Sequence, residues 1–173
     1  MKTNRRILIM LMTLVALPVL ASCGVKISKA DMTAYEGFNE NNHFKTSKYS
    51  DVLDMIDNKE DGIYLFASPE NPTSLSFVEN LEEIAKEKEI DIIYVDISSK
   101  SYSSNIDERV SKLSNSYIDD ANHRNVYPIV YVVKKGNINT VSPVFEGVSV
   151  SSRLLNFDEQ ESVKDSIERL WFD

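Results

Sequence analysis

Cysteine is almost missing from this 173-residue chain: Cys23 stands alone, so no internal disulfide can form. Histidine is scarce as well. His43 and His123 are the only two, which leaves few candidates for a general base or an imidazole metal ligand. Positive charge is the third shortage, with 19 Lys and Arg against 27 Asp and Glu and a formal net charge of −8. That sign does not suit a binder of phosphate backbone or an anionic-lipid patch, and nucleic acid is not expected as a partner. Long apolar runs are also lacking. The longest, Ile7 to Leu20, is interrupted by Thr13 and Pro18 and is shorter than the roughly 20 residues of a spanning helix.

What is present at the front end is the layout of a secretory signal: basic Lys2, Arg5 and Arg6, the apolar run, then small residues before Cys23. Leu20-Ala21-Ser22-Cys23 resembles the lipobox of bacterial lipoproteins. In these the cysteine receives a diacylglyceryl group and becomes the first mature residue. The resemblance implies signal peptide 1–22, acylation of Cys23, and a lipid anchor that holds the mature chain on the extracytoplasmic face of a cell membrane, since two acyl chains anchor where one is marginal. An acylated Cys23 leaves no thiol for redox chemistry or for a cysteine-ligated metal. Removing the signal takes three basic residues and no acidic one, which lowers the charge to −11.

Residues 23–45 have little periodicity and read as a stalk, with a short strand near His43–Lys45; a folded domain is expected over 46–173. Tyr49, Val52, Leu53 and Ile56 recur at helical spacing, with Ser47 or Ser50 as N-cap, and predict a helix to about Asn58. Ile63 to Phe66 and Asp91 to Ile97 read as buried parallel strands joined by a helix from Pro72 to Lys88, a βαβ unit. Asn71-Pro72 pairs a good N-cap with a good first helical residue. A third helix carries Ile106, Val110, Leu113 and Tyr117. Tyr127 to Val133 is the next strand, Lys134 to Asn137 a turn, Thr140 to Glu146 an edge strand around Pro143, and Asp158 with Glu161 is expected to cap a last helix.

This element order, with IYLFASPENPTSLSFVENLEEIAKE followed by DIIYVDIS and YPIVYVVKKGNINTVSPVFEG, resembles the thioredoxin-like superfamily. The spacing is most similar to the bacteriocin transport accessory and maturation proteins of Gram-positive bacteria. The resemblance implies an α/β fold with a central mixed sheet of four to five strands and helices on both faces. It also implies a cis bond at Tyr127-Pro128 facing the turn at the start of the long helix. The family's Cys-Pro-x-Cys positions fall on Asn71-Pro72-Thr73-Ser74, so both redox cysteines are absent. Asparagine caps the helix without an ionisable group, where a cysteine there would be held as a thiolate.

The candidate site is therefore the turn Ser68, Pro69, Glu70, Asn71, Pro72, Thr73, Ser74 with the Tyr127-Pro128 corner. It is read either as a retained surface for a peptide or protein or as a structural relic, with Thr73 and Ser74 as solvated first-turn residues. No catalytic residue, metal or cofactor is assigned. The expected role is a non-catalytic accessory factor in export, bacteriocin handling or envelope assembly. The alternatives are a sequestering or immunity-like surface lipoprotein and a cysteine-independent enzyme using Ser74. A catalytic serine needs a positioned histidine or lysine, and neither histidine lies near Ser74 in the sequence. Asp107-Glu108, Asp119-Asp120 and Asp158-Glu159 lack the spacing of a calcium loop and read as solvated helix charges; His123 with Asp119 or Asp120 is the one metal-like pair. Tyr102 reads as an exposed loop side chain, and Trp171 as core.

Overall fold

Alternation along one strand, Gly62–Ala67, divides the molecule into two cores. Ile63, Leu65 and Ala67 point to one face, Tyr64 and Phe66 to the other, and both faces are covered. The computed structural model describes residues 25–99, 102 and 104–173; the signal-like segment 1–22 and Cys23 lie outside the described residues.

In chain order the described elements are β1 (Ser28–Lys29), β2 (Phe44–Thr46), α1 (Tyr49–Asp57), β3 (Gly62–Ala67), α2 (Pro72–Lys88), β4 (Ile92–Asp96) and α3 (Ser104–Tyr117). A 3-10 turn (Ala121–His123), β5 (Ile129–Lys134), β6 (Asn137–Val141), β7 (Val144–Phe145), β8 (Val148–Ser149) and α4 (Phe157–Phe172) follow. The main sheet runs β1-β2-β4-β3-β5-β6, and β7-β8 form a separate ribbon. Pair β3–β4 is parallel, as the βαβ reading expects, β2–β4 is parallel as well, and the remaining pairs are antiparallel. One core joins α2 and α4 through Phe77, Val78, Leu81, Ile84, Val163 and Ile167. The other joins α1 and α3 through Val52, Leu53, Ile56, Val110 and Leu113. Each such aliphatic or aromatic side chain contributes about 1.5–3 kcal/mol on full burial.

Among the described residues the sheet has six strands, more than the four to five expected, and the added strand comes from the stretch read as a stalk. Ala30, Met32 and Tyr35 are buried at 4, 1 and 3% exposure, in the same core as α2 and α4. Tyr35, Phe38, Phe44 and Tyr94 close a ring of four edge-to-face contacts with centroids 6.0–6.4 Å apart. Residues from Val25 onward therefore belong to the folded body. The expected edge strand over Thr140–Glu146 is divided. Buried Pro143 has no N–H to continue the ladder, and Glu146 and Gly147, both at positive φ, turn the chain into the β7-β8 ribbon.

Two expected helix caps are replaced. Neither serine caps α1: Lys48 occupies that position without a side-chain bond, Ser47 Oγ donates to Lys26 O at 3.1 Å, and Ser50 Oγ donates to Asp51. Asn156 and Glu159, not Asp158 and Glu161, form the capping box of α4. Gly62 is required at its position, because a Cβ there would stand 2.8 Å from Tyr64 Cζ.

Candidate functional site

The start of α2 is built as its sequence predicts. Asn71 is the N-cap: its Oδ1 accepts from Thr73 N at 2.9 Å, and Pro72 holds the first helical position. The turn before it closes on itself. Ser68 O accepts from Asn71 N at 3.1 Å, and Ser68 Oγ accepts from Glu70 N at 3.2 Å. The Tyr127-Pro128 bond is cis, and Asn71 Nδ2 donates to Tyr127 O at 3.1 Å, so the turn and the corner are brought together by the cap residue itself.

Thr73 and Ser74 are not solvated. Both are fully buried, because residues 153–155, some eighty positions later, lie across the first turn of α2. Thr73 Oγ1 donates to Arg153 O at 2.7 Å, Ser76 Oγ accepts from Leu155 N at 3.0 Å, and Asn80 Nδ2 donates to Gln160 O at 3.2 Å. Ser74 Oγ accepts from Ser68 N at 3.3 Å. A hydroxyl with no exposed surface and a backbone partner has no route to a substrate, and neither histidine reaches it. His43 pairs with Glu82 at 2.9 Å, and His123 contacts Gly147 O and Asp120. Ser74 is a packing residue.

Exposure falls on other residues. Glu70 and Pro72 are open to solvent, Pro69, Asn71 and Tyr127 are half-buried, and Pro128 is buried. Next to Arg153, whose carbonyl accepts from Thr73, Leu154 is 53% exposed. Phe157, the first residue of α4, is 75% exposed, and Val148 of β8, at 65%, borders the groove that Asn156 and Asp158 also line. These apolar side chains gave no signal in the sequence, where Phe157 falls before the expected cap at Asp158. Arg153 is clamped in the same loop by Glu159 at 2.6 and 2.7 Å, and that bond, with the Asn156 amide, holds the Glu159 carboxyl below its ordinary pKa.

Behind the corner, Tyr102 is not an exposed loop residue. Its ring meets Tyr49 edge to face at 5.7 Å, and its hydroxyl is buried with no hydrogen-bond partner within bonding geometry among the described residues. Burial raises its pKa, and that of Tyr127. Trp171 is half-buried, with Lys134 Nζ 4.1 Å from its ring centroid. No group of three metal-ligating side chains occurs among the described residues, and Asp120 is committed to Asn122 N and His123. No described helix is long and apolar enough to cross a membrane. Compared with known proteins, the chain matches no family model and no curated sequence.

Proposed function

We propose that this chain is a thioredoxin-like lipoprotein without redox chemistry, tethered through an acylated Cys23 to the outer face of a Gram-positive membrane. It serves there as a non-catalytic partner of a peptide or protein in export, bacteriocin handling or envelope assembly. The observation that carries this reading is the bond from Asn71 to Tyr127 O beside the cis Tyr127-Pro128 corner. A strand, a turn, a capped helix and a cis-proline corner stand together as in a thiol enzyme. An amide that cannot ionise occupies the nucleophile's position and is spent on structure.

The same bond bears on the partner surface. Tyr127 O already accepts one bond and keeps one lone pair for an extended peptide, whereas exposed Leu154, next to the Arg153 carbonyl that Thr73 bonds, and Phe157 and Val148 on α4 and β8 offer apolar area. A photo-crosslinker placed at Leu154 or Phe157 in intact cells is expected to trap one discrete partner, and the same group at Lys135 is not. Insulin reduction by the purified protein under any redox condition would overturn the reading. Equal labelling from all three positions would overturn the assigned surface. A sequestering or immunity-like lipoprotein would use the same apolar surface, and the identity of the trapped partner separates the two roles.

A further inference from the structure

In a chain with net charge −8, one corner of the sheet edge, around Lys26 and Lys48, is free of carboxylates. Farther along the same edge Glu82 meets His43, Asp91 meets Lys45 and Asp31 follows β1. Residues 25–30 and 43–50, which form β1, β2 and the entry to α1, hold four lysines and no carboxylate. Lys45 pairs with Asp91 at 3.5 Å, and Lys29 Nζ donates to Asn42 O. Lys26 and Lys48 are exposed and have no carboxylate partner among the described residues. They line an open groove of about 670 Å³ together with Ser28, Thr46, Ser47 and Ser50, and no carboxylate lines it. Ile27 is 46% exposed beside them, and Asp51, held by Ser50 Oγ, is the next acidic residue along α1.

The fold also leaves no slack between this edge and position 23. Val25 packs against the α1–α3 core, Lys26 O accepts from Ser47 Oγ, and β1 pairs with β2. The chain from Cys23 to Val25 spans at most about 7 Å. Lysines so close to the anchor lie within about one Debye length of the headgroups, where their attraction is little screened.

We propose that the domain docks directly on an anionic bilayer through the β1–β2 edge, with Lys26, Lys48 and Ile27 meeting the headgroups. The inference rests on the lipid-anchor reading above. Acidic surface elsewhere is repelled by the same lipids, so the charge distribution orients the body as well as holding it. Strand β2 runs parallel to β4 and β4 to β3, which puts Thr46–Lys48 and the Ser68–Ser74 turn at the same end of the sheet. Docking keeps that turn, and a partner bound near it, close to the membrane.

The test uses the acylated full chain in vesicles, with a fluorophore on Ser28→Cys at the docked edge or on Asn137→Cys at the opposite edge, read by headgroup-attached quencher lipid. Acylation of Cys23 leaves the introduced cysteine as the single thiol. Strong quenching at position 28 and weak quenching at 137 are expected with phosphatidylglycerol present, and little at either position in pure phosphatidylcholine. Lys26→Gln with Lys48→Gln is expected to lower the docked-to-undocked ratio about thirtyfold, about fivefold for each lysine, while flotation with the vesicles is unchanged. Equal quenching at both positions, or quenching indifferent to phosphatidylglycerol and to the lysines, overturns the docking but not the anchor. Failure to float with vesicles at all overturns the anchor reading, and the docking with it.

Discussion

Asn71 holds two parts of the chain at once, accepting from Thr73 N at 2.9 Å and donating to Tyr127 O at 3.1 Å. Its side chain is both the cap of α2 and the clasp between that helix and the cis-proline corner. Asn71→Asp keeps the acceptor and loses the donor, which sets a carboxylate oxygen against a carbonyl. It is expected to destabilise by about 1 kcal/mol, and Asn71→Ala, which loses both bonds, by about 2 kcal/mol, read from urea denaturation.

Restoring thiols tests the framework from the opposite direction. Asn71→Cys with Ser74→Cys sets a Cys-x-x-Cys pair at a helix N-terminus, where the dipole favours a thiolate. The double variant is expected to gain insulin reductase activity that the parent lacks. A pair that oxidises and still shows no activity would count against the thioredoxin-like reading.

The buried hydroxyls of α2 are structural. Ser76→Ala leaves Leu155 N without its partner in a buried place and is expected to cost about 1–3 kcal/mol, with faster amide exchange at the start of α4. Ser74→Ala is expected to alter stability alone; a specific loss of some hydrolytic activity would contradict the packing role.

Acid acts on the α4 cap. Arg153 and the Asn156 amide hold the Glu159 carboxyl below its ordinary value near 4.5, so its contribution is complete above that pH and is lost as pH falls through the lowered folded value. Protection of the first-turn amides of α4 against exchange, measured relative to the intrinsic rate, is expected to fall below about pH 4.5, and Glu159→Gln is expected to abolish that dependence. The tyrosines give the opposite window. Burial raises Tyr35, Tyr64, Tyr94 and Tyr131, so the stability they add is present below about pH 10 and declines as pH climbs above it. Absorbance titration is expected to show these four ionising together with unfolding.

Truncation distinguishes a stalk from a folded segment. Deleting residues 25–38 removes Ala30, Met32 and Tyr35 from the core and is expected to abolish cooperative thermal unfolding, whereas Met32→Ala alone costs about 2–5 kcal/mol.

The central βαβ unit was legible because its signals are local. Ile63 to Phe66 and Ile92 to Val95 are apolar and bounded by turns, and Asn71-Pro72 names a helix start within two residues. Apart from the short strand expected near His43–Lys45, which β2 matches, residues 25–42 were not legible, because Ala30, Met32 and Tyr35 sit in irregular backbone with no period, and their burial depends on α2 and α4 arriving later in the chain. Thr73 and Ser74 misled for a related reason. Their polarity suits solvent until residues 153–155 supply the partners. The α4 cap was misplaced by two residues, since two acidic spacings compete there and only the backbone shows which glutamate reaches back.

Trp171 is the only tryptophan in the chain, and it lies two residues from the last, under the Lys134 ammonium. Its emission therefore reports on two contacts of the last turn of α4, with Lys134 at the end of β5 and with the α2–α4 core. Fluorescence will register the separation of that turn from Lys134 together with the loosening of the core face it covers, and a melting curve recorded by this signal alone will weight that face of the molecule.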